Sequence, residues 1–209
     1  MRLRSIAAAG CLPLMLLISA CSDAPKEVVK KEPEKPAEPV TGRQAFQQIY
    51  PGARAWAPDA QPLQLESYNL TQVKSGGGKA GAWQATFVSP SLRKSRTWTW
   101  SATDAEGNLH KGVFAGLQQD WGGPTGQSMP FEVFAIRTDS DAALKTAMEE
   151  KDTVAFTKKY PDKPMMFILE KTRRFPDLAW RVIWGESVST SEYTVFVDAS
   201  TGKFLQKVR

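Results

Sequence analysis

The feature that most constrains the fold of this chain is a weak internal repeat between residues 42 and 209. Each half begins with a segment of helical periodicity that ends in Tyr-Pro, at Tyr50-Pro51 in the first half and at Tyr160-Pro161 in the second. Four segments with strand character follow each helix, with turn residues between them. They cover 63–70, 83–88, 97–103 and 109–114 in the first half, and 165–171, 180–184, 193–198 and 203–208 in the second. The repeat predicts an α+β fold of two similar units, each a helix packed on an antiparallel sheet.

Helix signals and one glycine-rich stretch set the expected limits of the two units. Thr41 is the predicted N-cap of the first helix, which we expect to end just before Pro51. Ser140 or Asp141 is the predicted cap of a longer second helix. The expected segments are a first unit at 42–121, a linker at 122–130 and a second unit at 131–209. We expect one further strand at 131–136. Because about 80 residues bury only a modest core, the two units should pack together as one body.

The end of the second half carries a short motif. A strand delivers Val197-Asp198-Ala199, and a turn containing Gly202 leads into a last aliphatic strand. Asp198 is expected to accept hydrogen bonds from backbone amides of this turn, where Gly202 can adopt a positive φ without steric cost. This ending resembles PepSY domains, which also occur in the propeptides of thermolysin-like metallopeptidases. The resemblance covers 140–209, whereas the first half departs from it at 104–107, which follows Trp-Thr-Trp-Ser-Ala-Thr instead of an aliphatic strand.

The resemblance implies a function without catalysis. PepSY-like modules place a helix before an antiparallel sheet, and they are associated with the inhibition or chaperoning of peptidases and with protein binding at the cell envelope. It therefore implies a module that binds an unknown envelope protein or peptide, with peptidase modulation as one form of this role. Such a module can bind an extended segment by adding it to a free sheet edge, which requires backbone pairing and no catalytic group.

Residues 1–20 have the pattern of a bacterial lipoprotein signal peptide. Two arginines precede an apolar stretch, 6–19, that is short for a membrane span. The residues Ile-Ser-Ala-Cys at 18–21 resemble the lipobox, which implies that Cys21 carries acyl chains such as palmitate and anchors the protein in a membrane. A plain secretory signal that leaves Cys21 unmodified stays open as the alternative.

Residues 21–41 combine this cysteine with a segment rich in proline and charge. The segment has little apolar surface to bury, so we expect a solvated tether that extends about 50–60 Å. Under the sorting rule known for enterobacterial lipoproteins, the resemblance implies that Ser22, directly after Cys21, favours the outer membrane facing the periplasm, with the inner membrane as the other option. The formal net charge of +5 is modest for this length, and an exported protein meets little nucleic acid, so no nucleic-acid partner is expected.

Scarce reactive side chains exclude several kinds of site. Cys11 and Cys21 both lie near the amino terminus, so the body has no thiol for a disulfide, a nucleophile or a zinc ligand. His110 is the single histidine, which excludes a site with two imidazoles. We therefore predict no catalytic residue, no metal and no cofactor. A pair of carboxylates, for example Glu186 with Asp198, remains open and would support a hydrolase.

The candidate binding residues are aromatic or basic. Trp98 and Trp100 lie two positions apart, and Trp180 and Trp184 lie four apart, so each pair shares one face of a strand. These rings either fill the core between helix and sheet or form an exposed platform for a peptide or a glycan.

Two basic clusters are further candidates for a binding surface. Their positions in the sequence predict that they lie in equivalent regions of the two halves. One contains Arg93 and Arg96, and the other contains Arg173 and Arg174. They are either solvated loop charges or contacts for anionic lipid headgroups or cell-wall polymer, which salt would weaken. The alternative function is therefore a glycan- or lipid-binding lipoprotein that uses exposed tryptophans and these arginines.

Overall fold

The computed structural model describes residues 36–208. The expected signal peptide, Cys21 and most of the expected tether lie outside this range, so those expectations remain predictions. Within the described range, no helix has the length and apolar character needed to cross a membrane.

A large antiparallel sheet and three short helices make up the described structure, which confirms the α+β class. The elements in chain order are β1 (Val40–Thr41), α1 (Gly42–Trp56), β2 (Gln61–Tyr68), β3 (Lys79–Ala80), β4 (Ala82–Ser89), β5 (Lys94–Ser101), β6 (Gly112–Asp120), α2 (Ser140–Glu149), α3 (Lys151–Lys159), β7 (Met165–Glu170), β8 (Ala179–Trp184), β9 (Tyr193–Asp198) and β10 (Phe204–Val208). Eight strands form one sheet in the order β10-β9-β8-β7-β2-β4-β5-β6, and β1 pairs with β3 beside it.

The two halves meet at the centre of the sheet. Each contributes four strands, and the first long strand of one half, β2, pairs antiparallel with the first strand of the other, β7. Leu65 lies opposite Leu169 in this pairing, and both side chains are fully buried. The strands therefore run outwards from the centre in sequence order on both sides, towards two edges, β6 and β10.

The five tryptophans of the strands lie on the sheet face that the helices cover: Trp83, Trp98, Trp100, Trp180 and Trp184. Helices α1 and α2 pack against this face, and one continuous core joins them to both halves of the sheet. Trp83 and Trp180 occupy matching positions in β4 and β8, and their rings meet edge to face at 6.3 Å. Each indole also donates to a carbonyl two residues before a helix begins, Trp83 to Val40 at 3.0 Å and Trp180 to Thr138 at 2.8 Å. The repeat thus extends to the hydrogen bonds that hold each helix on the sheet.

The starts of α1 and α2 lie against each other. Thr41 caps α1 with its own side chain, whereas the amide of Gly42 donates to the hydroxyl of Ser140 at 2.9 Å. That hydroxyl donates in turn to the carbonyl of Gly78 at 2.6 Å. A Cβ at position 42 would lie 2.6 Å from the Trp180 ring, so this contact requires glycine. Asp139 caps α2, whereas Ser140 or Asp141 was the predicted cap.

Helix α1 continues past Pro51, contrary to the expectation that it ends there. Pro51 lies on the exposed side of the helix, where its missing amide leaves a carbonyl that water can satisfy. The following turn places Ala53 in the core with no exposed surface. Tertiary packing therefore outweighs the local effect of the proline.

The second helical region is divided, whereas a single helix was expected. Glu150 has an extended conformation with ψ at 126° and separates α2 from α3. After this break, Phe156 stacks on Tyr193 with ring centroids 4.8 Å apart. The hydroxyl of Thr153 lies 3.1 Å from the hydroxyl of Tyr193.

The strand expected at 131–136 is absent from the described structure. Val133–Ala135 forms a single 3₁₀ turn, in which the amide of Ala135 donates to the carbonyl of Glu132. Phe131 donates one backbone hydrogen bond to Pro62 at the start of β2. No continuous pairing can follow there, because β4 and β7 already occupy the two sides of β2.

The turn after β9 forms as predicted. Asp198 accepts from the amides of Ser200 and Thr201 at 2.7 and 2.9 Å, and Gly202 has a φ of 73°. Partial burial works to raise the pKa of Asp198, but these hydrogen bonds prevail and lower it. Asp198 is a structural residue of this turn.

Candidate binding surface

The sheet face opposite the helices carries the candidate functional residues. In residues 36–208 no helix covers it, and we call it the open face. It carries polar side chains together with Ile168 and Ile183, which are 2% and 0% exposed. The residues of this face alternate along each strand with those of the helix-covered face. They include Glu66, Tyr68, Gln84, Thr97, Thr99, Phe114, Glu170, Arg181 and Phe196.

Glu66 lies at the centre of a hydrogen-bonded group on the open face. It accepts from the hydroxyl of Tyr68 at 2.6 Å and from the amide of Gln84 at 3.1 Å. Burial and then the neighbouring Glu66 raise the pKa of Tyr68 above its usual value, so its hydroxyl keeps its proton and donates. The carboxylate of Glu66 is therefore occupied as the acceptor of these two hydrogen bonds.

Glu170 lies on the adjacent strand, β7, where its carboxyl group is partly buried. Burial raises the pKa of Glu170, while Arg181 and a hydrogen bond from Gln64 act in the opposite direction and Glu66 adds to the rise. The contact with Arg181 is loose, with 3.9 Å between Nη1 and Oε1. Glu170 is therefore a partly compensated carboxylate.

Two clefts of the described structure are each lined by two carboxylates, Glu66 with Glu186 in one and Asp59 with Glu132 in another, whereas Glu170 lines a third cleft. The carboxylate pair that the hydrolase alternative named is in none of these clefts. The pair considered from the sequence is separated by a strand, because Asp198 pairs with Ala179 at one end of β8 and Glu186 follows the other end. Six residues of strand span about 20 Å.

The four tryptophans considered as a platform are core residues. Trp98 and Trp100 have exposed fractions of 3% and 7%, and Trp180 and Trp184 have 0% and 2%. The indole of Trp100 donates to Gln48 of α1 at 2.9 Å. This confirms the core interpretation and corrects the exposed-platform alternative, because the rings are covered by the helices.

Arg93 and Arg96 take part in the structure of the sheet edge. The guanidinium of Arg96 donates from Nε to the carbonyl of Gly116 at 2.9 Å and lies over the Trp98 ring at 5.3 Å. Arg93 occupies a left-handed turn position, with φ at 53°. Arg93 lies in the turn between β4 and β5 and Arg96 lies within β5, whereas Arg173 lies in the loop between the first and second strands of the other half. The expectation of equivalent positions was therefore wrong.

Arg173 and Arg174 join a third arginine on the open face. They come from the loop between β7 and β8, and Arg181 comes from β8. The three line a cleft of about 630 Å³, which we call the arginine cleft. Its lining consists of Gly126, Gln127, Glu170, Thr172, Arg173, Arg174, Phe175, Arg181 and Phe196. Sequence reasoning missed Arg181 and Phe196. Their alternation with core residues along β8 and β9 was the available signal.

Strand β6 is the most exposed strand of the sheet. Its residues after Gly112 are all exposed, and Leu117 has an exposed fraction of 88%. In the described part of the chain it pairs on one side only, with β5. Phe114 is 46% exposed on the open face and lies beside a shallow cleft of about 470 Å³.

His110 lines this shallow cleft as an ordinary surface histidine. Its ring lies 4.7 Å from that of Phe114, and Nδ1 is 3.7 Å from Asp104. Among the described residues, no group of histidine, cysteine and acidic side chains could hold a metal ion. Comparisons with protein-family models, curated proteins and solved structures found no match to this chain.

Proposed function

We propose that this protein is a non-catalytic, lipid-anchored module of the cell envelope that binds an extended segment of another protein along β6. The observation that carries the proposal is the exposed edge of this nine-residue strand, which pairs on one side only within residues 36–208. An incoming strand would pair with the outward amides and carbonyls of β6 and lengthen the sheet to nine strands.

The composition of β6 favours such pairing. Natural edge strands are usually protected by lysine, proline or shortness. Gly112–Asp120 contains no lysine and no proline, and its one charged residue, Asp120, lies at its end and pairs with Lys94 of β5. By contrast, β10 has five residues and contains Lys207, which pairs with Asp152. The edge of β6 is the less protected of the two.

Side chains of β6 and of the neighbouring β5 would determine which partner segment binds. Phe114 and Leu117 offer apolar surface, and the shallow cleft next to them is lined by polar groups such as Thr97 and Thr99. A bound strand places alternate side chains on the open face, so its apolar residues would cover Phe114. The partner segment is therefore extended, uncharged at its centre and apolar at alternate positions.

The cellular setting of this proposal comes from the sequence. The expected acylation of Cys21 and the tether at 21–41 would hold the sheet away from a membrane, with the outer membrane facing the periplasm favoured. Two PepSY-like units would fit a role as a peptidase modulator, since an extended partner segment is how a peptidase or its substrate would be held. These assignments are proposals alongside the β6 edge.

Site-specific photo-cross-linking in cells expressing the full chain tests the proposal. A photoreactive phenylalanine analogue at Phe114 should cross-link to an extended segment of one envelope protein. The matched control places the analogue at Leu205, which is 40% exposed on the other edge strand. The cross-link at position 114 should disappear when Leu117 is replaced by lysine, because a lysine on an edge strand opposes pairing with another strand.

Three results would overturn the proposal. Equal cross-linking from positions 114 and 205 would show that β6 has no preference. Cross-linking of position 114 to a second copy of the chain would assign the edge to self-association. Persistence of the cross-link in Leu117→Lys would show contact without strand pairing.

The glycan- or lipid-binding alternative can no longer rely on exposed tryptophans, because Trp98 and Trp100 are buried. Its basic part keeps one specific observation, the convergence of Arg173 and Arg174 with Arg181.

A further inference from the structure

We propose that the arginine cleft is a binding site for a phosphate group. It lies in the second half of the sheet, on the open face, and it is separate from β6. The proposal is independent of the function proposed for that edge.

Backbone contacts fix the loop that presents two of the arginines. The amide of Arg173 donates to the carbonyl of Gly126 at 2.8 Å, and Met129 donates to Lys171 at 3.0 Å. Within the loop, the amide of Phe175 donates to the hydroxyl of Thr172 at 3.1 Å. The segment that connects the two halves therefore forms one wall of the cleft. Its contacts pre-organise the loop, which reduces the entropy lost when a ligand binds.

Two stacked phenylalanine rings orient the guanidinium groups. Phe175 and Phe196 lie 4.4 Å apart in a stacked arrangement. The guanidinium carbon of Arg174 is 5.5 Å from the Phe175 ring, and that of Arg181 is 5.5 Å from the Phe196 ring. Contacts of this kind use the flat face of a guanidinium and leave its N–H edge available for hydrogen bonds. The edges can thus serve an oxyanion in the cleft.

The charges in the cleft do not balance without a ligand. Three arginines face one carboxylate, Glu170, which meets Arg181 only at 3.9 Å. Within residues 36–208, neither Arg173 nor Arg174 has a carboxylate at ion-pair distance, and Nε of Arg181 is buried without a hydrogen-bond partner. A buried donor that lacks a partner costs free energy, which a bound acceptor recovers.

A phosphate group matches this donor set best. Guanidinium groups pair with phosphate through two parallel hydrogen bonds, and a doubly charged oxyanion offsets the excess of two positive charges. The group can belong to a lipid headgroup or to a free phosphate compound. Both sources present non-bridging phosphate oxygens to the arginines, although a phosphodiester headgroup carries one negative charge and a phosphate monoester carries about two.

Calorimetric titration of the full chain tests the site, with inorganic phosphate as the probe. We expect saturable binding that Arg173→Gln with Arg174→Gln weakens about tenfold or more, since two charge-assisted contacts are lost. The matched control is Lys158→Gln with Lys159→Gln, which removes the same charge at the end of α3 and should change binding less than about twofold. Arg174→Lys keeps the charge but loses the paired geometry, so it should also weaken binding.

A second titration with a short-chain, water-soluble phosphatidylglycerol distinguishes the sources. Tighter binding than inorganic phosphate assigns the site to a lipid headgroup, and weaker binding assigns it to a free phosphate compound. Absence of saturable phosphate binding would overturn the proposal. An equal loss of phosphate affinity in the lysine control would also overturn the proposal, because it would show that binding depends only on the net charge of the protein. Equal binding of acetate at the same ionic strength would contradict the phosphate class.

Discussion

The two halves of the sheet begin alike and end differently. Each packs a tryptophan, Trp83 or Trp180, under its helix and ties that ring to the start of the helix by an indole hydrogen bond. Towards the outside, the first half ends in the long exposed β6, whereas the second ends in the short β10 with Lys207. The second half also carries the arginine cleft. The shared part of the halves holds the fold together, and the parts that differ face solvent and are available for binding.

The largest expected effect concerns the shared part. Trp83→Ala and Trp180→Ala should each lower the free energy of unfolding by about 3–5 kcal/mol, because each ring is fully buried in the core. Urea titration followed by circular dichroism measures this change. If the halves are energetically equivalent, the two losses of unfolding free energy will agree closely. A loss below about 1 kcal/mol in one variant would show that the halves are not equivalent.

A smaller effect is expected where the two helices meet. Ser140→Ala removes the hydroxyl that joins the amide of Gly42 to the carbonyl of Gly78, leaving two buried groups without this partner. The expected cost is about 1–3 kcal/mol. Thr41→Ala, which removes only the cap of α1 itself, should cost about 1 kcal/mol in the same urea titration. A larger cost at Thr41 would contradict the importance of this junction between the halves.

The pH dependence of stability tests the open face near the centre of the sheet. Because the pKa of Glu170 is raised in the fold, the native state holds its proton longer than the unfolded state does. Stability therefore falls as pH rises above the ordinary glutamate pKa, and the penalty is absent below it. Relative to Glu170→Gln, the wild-type protein should lose stability as the pH rises through and above the ordinary glutamate pKa. Parallel pH profiles for the two proteins would show that burial does not affect this carboxyl group.

The smallest effect is expected at the edges, where the halves differ most. Leu117→Lys should change the free energy of unfolding by less than about 0.5 kcal/mol, because the side chain is 88% exposed. Leu205→Lys on β10 should behave similarly in stability while leaving partner binding intact. A large loss of stability in Leu117→Lys would mean that β6 is a structural strand and would confound its use as a probe of binding.

Most strand positions were predictable from the sequence to within about three residues, since alternation and turn residues are local signals, but the strand expected at 109–114 is Gly112–Asp120. The strands from Met165 to Val208 begin and end within one residue of the prediction. The turn at Asp198 also formed as expected, because short side-chain and glycine preferences determine it. Errors occurred where packing over long distances decides the outcome: α1 continues through Pro51, and Glu150 divides the second helix.

The candidate site was predictable only in part. Arg173 and Arg174 were selected as a basic pair, yet their partner Arg181 and the stacked ring of Phe196 come from different strands. Strand pairing brings these groups together, and pairing depends on the register between distant segments. The tryptophans could not be assigned to core or surface, because alternation shows which residues share a face but not which face the helices cover.

The sequence by itself determined the α+β class, the repeat of one helix region and four strands, the local turns and the absence of thiol and paired-histidine chemistry in residues 42–209. Tertiary structure decided that β2 and β7 join the halves into one sheet, that the helices cover the tryptophan-rich face and that the opposite face stays open. The physical reason is that local patterns specify elements and their apolar faces, whereas burial of those faces against each other selects one arrangement and leaves β6 and the arginine cleft exposed.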